Sequence, residues 1–181
     1  VGRFPQAILN LSLLIGLDLA VNGLSGEVPP NLCTSLPNLQ KLVLGGNFFL
    51  GHITSSFTNA SNLHLFDLVD NNFTGLVPTT IGKLTKLLSF NLEYNQLQAH
   101  SKKDWEFLDS LGNCTKLQVF SMSYNHLSGH VPRSLGNISN LLQYLYLDEN
   151  QLSGDFPSGI ENLRNLIIVS LGENHFTGVL T

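Results

Sequence analysis

"LQYLYLDENQLSGDFPSGIENL", residues 142–163, sets out one unit of a pattern. Its apolar residues Leu142, Leu145, Leu147 and Leu152 surround a fixed polar point, Asn150, in the order L-x-x-L-x-L-x-x-N-x-L. Leu145 and Leu147 alternate with Tyr144, Tyr146 and Asp148, and alternation over so few residues predicts a short strand with one buried face. A Gly-x-Phe-Pro continuation follows at Gly154 to Pro157.

Outward from this stretch the same phrase recurs. Its asparagines are Asn22, Asn47, Asn71, Asn95, Asn125, Asn150 and Asn174, spaced by 24 or 25 residues except for 30 between Asn95 and Asn125. Ahead of each stands an apolar pair such as Leu42 and Leu44, Phe66 and Leu68, or Phe120 and Met122. Only 12% of residues are charged, about half the usual share, a bias that itself calls for a search for repeats. One such unit cannot bury its apolar face alone, so units stack and their strands pair in parallel. The asparagine amide, with two donors and an acceptor, stands where the chain turns out of the strand and can satisfy backbone groups of its own and the neighbouring unit. These asparagines are structural, not catalytic.

The net charge of −4 offers no basic stripe for nucleic acid. Apolar runs are too short to span a membrane, and the opening residues lack the pattern of a cleavable leader. There is no Gly-x-Ser-x-Gly, phosphate loop or kinase signature, so an enzyme is not expected within this chain and no cofactor is implied. His126 and His130 have a metal-like spacing, but the turn between them and the lack of a third ligand argue against zinc.

The full phrase resembles the leucine-rich repeat. "GEVP" at 26–29, "GLVP" at 75–78, "GHVP" at 129–132, "GDFP" at 154–157 and a truncated "GVL" at 178–180 resemble its plant-specific subtype. The resemblance implies an α/β solenoid: a right-handed leucine-rich-repeat superhelix with a parallel β-sheet on its concave face. Residues 1–181 then form a single array, with a partial repeat at 1–13 and about seven repeats over 14–181. No cysteine-paired cap stands at either end, and the expected reading is a fragment of a longer protein.

In such a strand the residues beside the buried pair point outward. All four tyrosines fall at these positions, Tyr94, Tyr124, Tyr144 and Tyr146. So do seven of the thirteen acids, Asp18, Asp67, Asp70, Glu93, Asp148, Glu149 and Glu173, against one base, Lys41. Aromatic anchors ringed by charge suit protein recognition. The candidate ligand-binding residues are Asp67, Asp70, Glu93, Tyr94, Tyr124, Tyr144, Tyr146, Asp148 and Glu149, and a neutral or basic ligand is expected. The competing reading is that repeats of this family supply Asp and Tyr at these phases without any ligand.

Five glycosylation sequons open at Asn10, Asn59, Asn72, Asn113 and Asn137, of which all but Asn72 fall on the returning side of a coil. Cys33 and Cys114 lie too many stacking steps apart for a disulfide and read as small buried hydrophobes.

The long repeat carries "HSKKDWEFLDSLGNC" at 100–114. A helical insert over about 98–113 is expected, with Ser101 as N-cap, Asp104 three later, a Lys102/Glu106 pair and Gly112 as stop. Trp105, Phe107, Leu108 and Leu111 would pack on the convex back, replacing the extended segment lost there. The competing functional reading is a basic contact site of His100, Lys102 and Lys103. This wording is similar to that of the plant receptor-kinase subgroup that includes the rice bacterial-blight-resistance receptor.

That resemblance implies the extracellular ligand-recognition region of a plant leucine-rich-repeat receptor serine/threonine kinase, in immune or developmental signalling. Its partners would be a peptide or protein ligand on the concave face and a co-receptor kinase, on the extracellular side of the plasma membrane, with membrane contact only through a segment outside this chain. A secreted inhibitor of the polygalacturonase-inhibitor kind, or a receptor-like protein without a kinase, is the alternative. An intracellular scaffold is disfavoured by the sequons.

Overall fold

The computed structural model describes residues 2–178, so the continuation at 178–180 lies outside the described residues apart from Gly178. Each alternating stretch forms a three-residue strand: Gly16–Asp18, Lys41–Val43, Leu65–Asp67, Ser89–Asn91, Val119–Ser121, Tyr144–Tyr146 and Ile168–Ser170. They pair in parallel, in chain order, as one seven-stranded sheet. The register places Leu17, Leu42, Phe66, Phe90, Phe120, Leu145 and Val169 in a single row. Repeats that write phenylalanine there stack their rings: Phe66 lies 5.3 Å from Phe90, and Phe90 lies 6.0 Å from Phe120. With Leu42, Leu63, Leu87, Leu117 and Leu142, also fully buried, they make one continuous core. The last coil shows what stacking supplies, since Val169 is 40% exposed where Leu145 is 0%.

A second sheet was not foreseen from the sequence. Gly2–Arg3, Leu24–Glu27, Phe48–His52, Asn72–Gly75, Gln96–Ala99, His126–Gly129, Gln151–Gly154 and His175–Phe176 pair in chain order as eight strands. These segments hold the apolar residue two after each ladder asparagine, including Phe49, Phe73, Leu97, Leu127 and Leu152, all buried. Their Gly-x-Val-Pro ending reads as a turn, which hides the extended backbone before it. The coils close through 3-10 turns at Gln6–Asn10, Ser55–Asn59, Thr79–Lys83, Arg133–Asn137 and Ile160–Asn162 and through two short helices, α1 (Leu32–Ser35) and α2 (Glu106–Leu111).

The asparagines bridge coils as a ladder. Asn95 Nδ2 donates to Leu68 O (2.9 Å), Leu92 O (3.2 Å) and Glu93 O (3.0 Å), and its Oδ1 accepts from Phe73 N (3.0 Å). Asn47, Asn71, Asn125, Asn150 and Asn174 repeat the arrangement. The residue before each ladder asparagine takes a left-handed backbone, with φ between 48° and 64° at Val21, Gly46, Asp70, Tyr94, Tyr124, Glu149 and Glu173.

The long repeat differs from expectation in three ways. Its second-sheet strand is kept, with Ala99 paired to Leu127 and fully buried, so the insert follows this strand instead of replacing it. The helix is confined to 106–111, and its N-cap is Trp105, not Ser101. Asp104 Oδ2 accepts from the amides of His100 (3.0 Å) and Ser101 (2.9 Å), which holds a tight turn ahead of the helix. Lys102 and Glu106 form no ion pair; among the described residues the ion pair found is Lys41–Asp18.

Trp105, Phe107, Leu108 and Leu111 are buried, and Ser110 anchors the insert to the preceding coil. Its Oγ accepts from Gly82 N (3.0 Å) and donates to Thr79 O. Gly82 has no room for a side chain, since a Cβ there would overlap the Ser110 carbonyl. Gly112 keeps a right-handed backbone, so its place as a stop comes from close packing beside Asn137 O and not from left-handed geometry.

Candidate functional site

Four columns of side chains run along the outer face of the seven-stranded sheet and the turns that leave it. Tyr144 stands in the first, between Val119 and Ile168, and Tyr146 in the second, between Ser121 and Ser170. Asp67 shares the second column with Asp18 and Asn91. These three side chains have a structural task, each accepting from an amide two residues on: Ala20 (3.2 Å), Val69 (2.9 Å) and Glu93 (3.0 Å). Burial pushes the Asp67 carboxyl up, partly offset by the Val69 amide, while hydrogen bonding to Lys41 holds Asp18 low.

Glu93 and Asp148 fall in the third column and are engaged across coils, accepting from Ser121 Oγ and Ser123 Oγ respectively, the latter at 2.7 Å. The fourth column is the left-handed one. Tyr94 and Tyr124 stack there, ring centroids 4.0 Å apart and planes 10° from parallel, with Asp70 one coil before and Glu149 one coil after. Tyr94 and Tyr124 are 47% and 38% exposed. Hydrogen bonding and charge from Tyr94, then the Glu149 charge, slight burial and the Asp148 charge, push the Tyr124 phenol up to about 12.

The structure thus joins Tyr94 and Tyr124 tightly and leaves Tyr144 and Tyr146 at the two ends of their strand, half-buried. Asp67 stands apart, at the strand that pairs with Ser89–Asn91 on the side away from Tyr144–Tyr146. Sequence reasoning found these residues but not the stack, which arises because adjacent coils both place a tyrosine on left-handed backbone.

The other candidates sit elsewhere. Asn10, Asn59 and Asn137 end 3-10 turns, and Asn113 follows α2; all four are exposed in one row on the returning flank. Asn72 opens a second-sheet strand, half-buried, where its Oδ1 accepts from Gln96 Nε2 (3.3 Å). Cys33 and Cys114 are free and buried, which pushes their thiols up to about 12 and about 11. Among the described residues no group of three or more His, Cys, Asp or Glu could hold a metal ion, and no helix is long and apolar enough to cross a membrane.

A family model described as Leucine Rich Repeat matches residues 38–60, 62–84, 116–138 and 141–163, together just over half of the chain. The chain belongs to the leucine-rich-repeat family, and the unmatched interval between the second and third segments contains the irregular repeat.

Within that family its similarity is to plant receptors. Receptor-like protein 39 of Arabidopsis thaliana is 39% identical over 90 residues, 49% of this chain and 10% of that protein. The serine/threonine-protein kinase BRI1-like 1 of the same plant is 36% identical over 86 residues, 46% of this chain and 7% of that protein. Among solved structures, the plant peptide hormone receptor RGFR1 in complex with RGF2 superposes with a TM-score of 0.86 at 32% identity, over 97% of this chain and 27% of that one. The Arabidopsis receptor kinase HAESA, solved with the peptide hormone IDA and the co-receptor SERK1, gives 0.79 at 27% identity, over 97% and 32%. The chain spans about a tenth of the length of the first curated relatives.

Proposed function

We propose that this chain is part of the ligand-recognition region of a plant cell-surface receptor, a stretch of a longer repeat array that binds a peptide or protein on the outer face of its seven-stranded sheet. The observation that carries the reading is the exposed Tyr94–Tyr124 stack among carboxylates on that face. Likeness to ectodomains solved with peptide hormones supports it. The bound signal passes on through segments outside this chain, to a serine/threonine kinase of the same protein or to a co-receptor kinase. The ligand is met on the extracellular side of the plasma membrane, and sugars at Asn10, Asn59, Asn113 and Asn137 would cover the returning flank and leave the sheet open.

Panning a random dodecapeptide library on the full chain tests this. Tyr94→Asn and Tyr124→Asn remove the rings while asparagine tolerates the left-handed backbone, so folding is preserved. Selected peptides should lose at least about tenfold in affinity for the double variant, since removed hot-spot aromatics cost about 2 kcal/mol. Peptides that bind both proteins equally refute the face as the ligand surface.

A further inference from the structure

The left-handed column reads Val21, Gly46, Asp70, Tyr94, Tyr124, Glu149, Glu173 along the solenoid. Its centre is an aromatic pair and its flanks are acids, with coils about 4.8 Å apart. Glu93 and Asp148 are tied to serines, whereas no side-chain hydrogen bond or ion pair engages Asp70 or Glu149 among the described residues. The one base on the face, Lys41, is bound to Asp18 at 3.0 Å, and it lies two coils from Tyr94. A nearly parallel stack with centroids 4.0 Å apart has its ring normals running along the solenoid, so the free face of Tyr124 is turned toward the coil that carries Glu149.

We propose that Tyr94, Tyr124 and Glu149, with Asp70 and Asp148 adding to the negative field, form a subsite for an arginine side chain of the peptide ligand; this rests on the reading of the sheet face as the ligand surface. A guanidinium is flat, so it extends the stack over Tyr124 as a third layer, where the ring quadrupole attracts its charge. Its fork of N–H donors then lies in the plane that reaches the Glu149 carboxylate, giving a charge-assisted pair. An ammonium lacks the flat face and is more strongly hydrated, so lysine fits less well. Phosphate, sulfate or carboxylate groups on a ligand would meet Asp70, Glu149 and Glu173 and be repelled.

The test uses two dodecapeptide libraries with acetylated N-termini, panned on the full chain: one fixes a central arginine, the other excludes arginine and lysine. The first should yield binders whose affinity falls about tenfold when arginine is replaced by citrulline, its neutral isostere. Glu149→Gln should cost the arginine peptides a similar factor and the citrulline peptides nothing. Three results overturn the subsite: citrulline peptides that bind equally, no binder from the arginine library, or arginine binders indifferent to Glu149→Gln. If any of these occurs while binders from the library without arginine depend on Tyr94 and Tyr124, the face stands and the arginine assignment alone fails. If all selected peptides ignore the Tyr94→Asn and Tyr124→Asn double variant, both fail together.

Discussion

Replacing Asn95 by alanine and, separately, by aspartate separates the two halves of what a ladder asparagine does. Asn95 is 6% exposed. Its three carbonyl acceptors are all shared: Leu68 O also accepts from Asn71 (3.2 Å), Leu92 O from Asn125 (2.9 Å) and Glu93 O from Asp70 N (2.9 Å). Alanine therefore leaves one buried group stranded, the amide of Phe73, at a cost of about 1–3 kcal/mol. Net loss of the donated bonds brings the expected total to about 2–3 kcal/mol, and a chain of this size should melt about 4–12 °C lower.

Aspartate keeps the acceptor for Phe73 but turns an oxygen toward three carbonyls, so its charged form is strongly disfavoured in the fold. Its folded pKa must lie above the unfolded value of about 3.9. As pH rises from about 4 the unfolded chain loses its proton first, so stability falls with pH, by at most about 1.4 kcal/mol per unit, until the folded pKa is reached. Urea titrations followed by circular dichroism at pH 4 and pH 7 should rank Asn95→Asp below Asn95→Ala at pH 7 and close the gap at pH 4. Asn22→Ala is the control, because Asn22 is exposed and donates only to Leu19 O and Ala20 O. Equal losses at Asn22 and Asn95, or a pH-independent difference between the aspartate and alanine variants, would refute the reasoning.

Three further outcomes are expected. Gly82→Ala pushes a methyl into the Ser110 carbonyl and should destabilise the chain by about 1–3 kcal/mol in urea, with increased protease cleavage around α2; an unchanged midpoint would show that the insert is not docked there. Both thiols, raised and buried, should be silent to a disulfide reagent at pH 8 in the folded chain and both react in guanidinium, whereas rapid labelling of the native protein would contradict their burial. Asp67 has a folded pKa above its unfolded value, so its charge costs stability as pH rises through that interval. Asp67→Asn should therefore raise the melting temperature more at pH 7 than at pH 3, and an equal effect at both would count against the burial of that carboxyl.

The first sheet was legible because alternation and the asparagine spacing both encode it, and each uses side chains that no neighbouring coil can supply. The second sheet was not, because its strands bury two residues at most and several end in glycine, so local pattern cannot tell them from turns; their pairing comes from stacking. The insert was half legible. Trp105, Phe107, Leu108 and Leu111 announced an apolar stripe, but the strand at Gln96–Ala99 survives the loss of its glycine because Ala99 needs no positive φ. The contact of Ser110 with Gly82 joins residues 28 apart and has no sequence signal short of knowing which coils touch. For the candidate site, position on the face was readable, but the stack was not, since it depends on both tyrosines being turned the same way by left-handed backbone.

That backbone also bears on the choice between repeat habit and a ligand surface. Gly46 makes the turn with no side chain and little strain, whereas a non-glycine residue at positive φ costs about 1–2 kcal/mol. If the turn were the only requirement, glycine would serve in every coil. Val21 has a packing reason, since it covers Gly46 and its Cγ2 would lie 3.0 Å from a Cβ there. Tyr94 and Tyr124 stack on each other at the surface, and such an exposed aromatic pair returns about 0.5–1.5 kcal/mol. On the proposed reading of the face, the strain at these two positions is kept for a ligand that meets the rings. A Tyr94→Gly, Tyr124→Gly pair should accordingly leave the fold no less stable than the native chain by more than about 0.5 kcal/mol while abolishing selection of peptides; a loss of several kcal/mol would show instead that the tyrosines serve the solenoid.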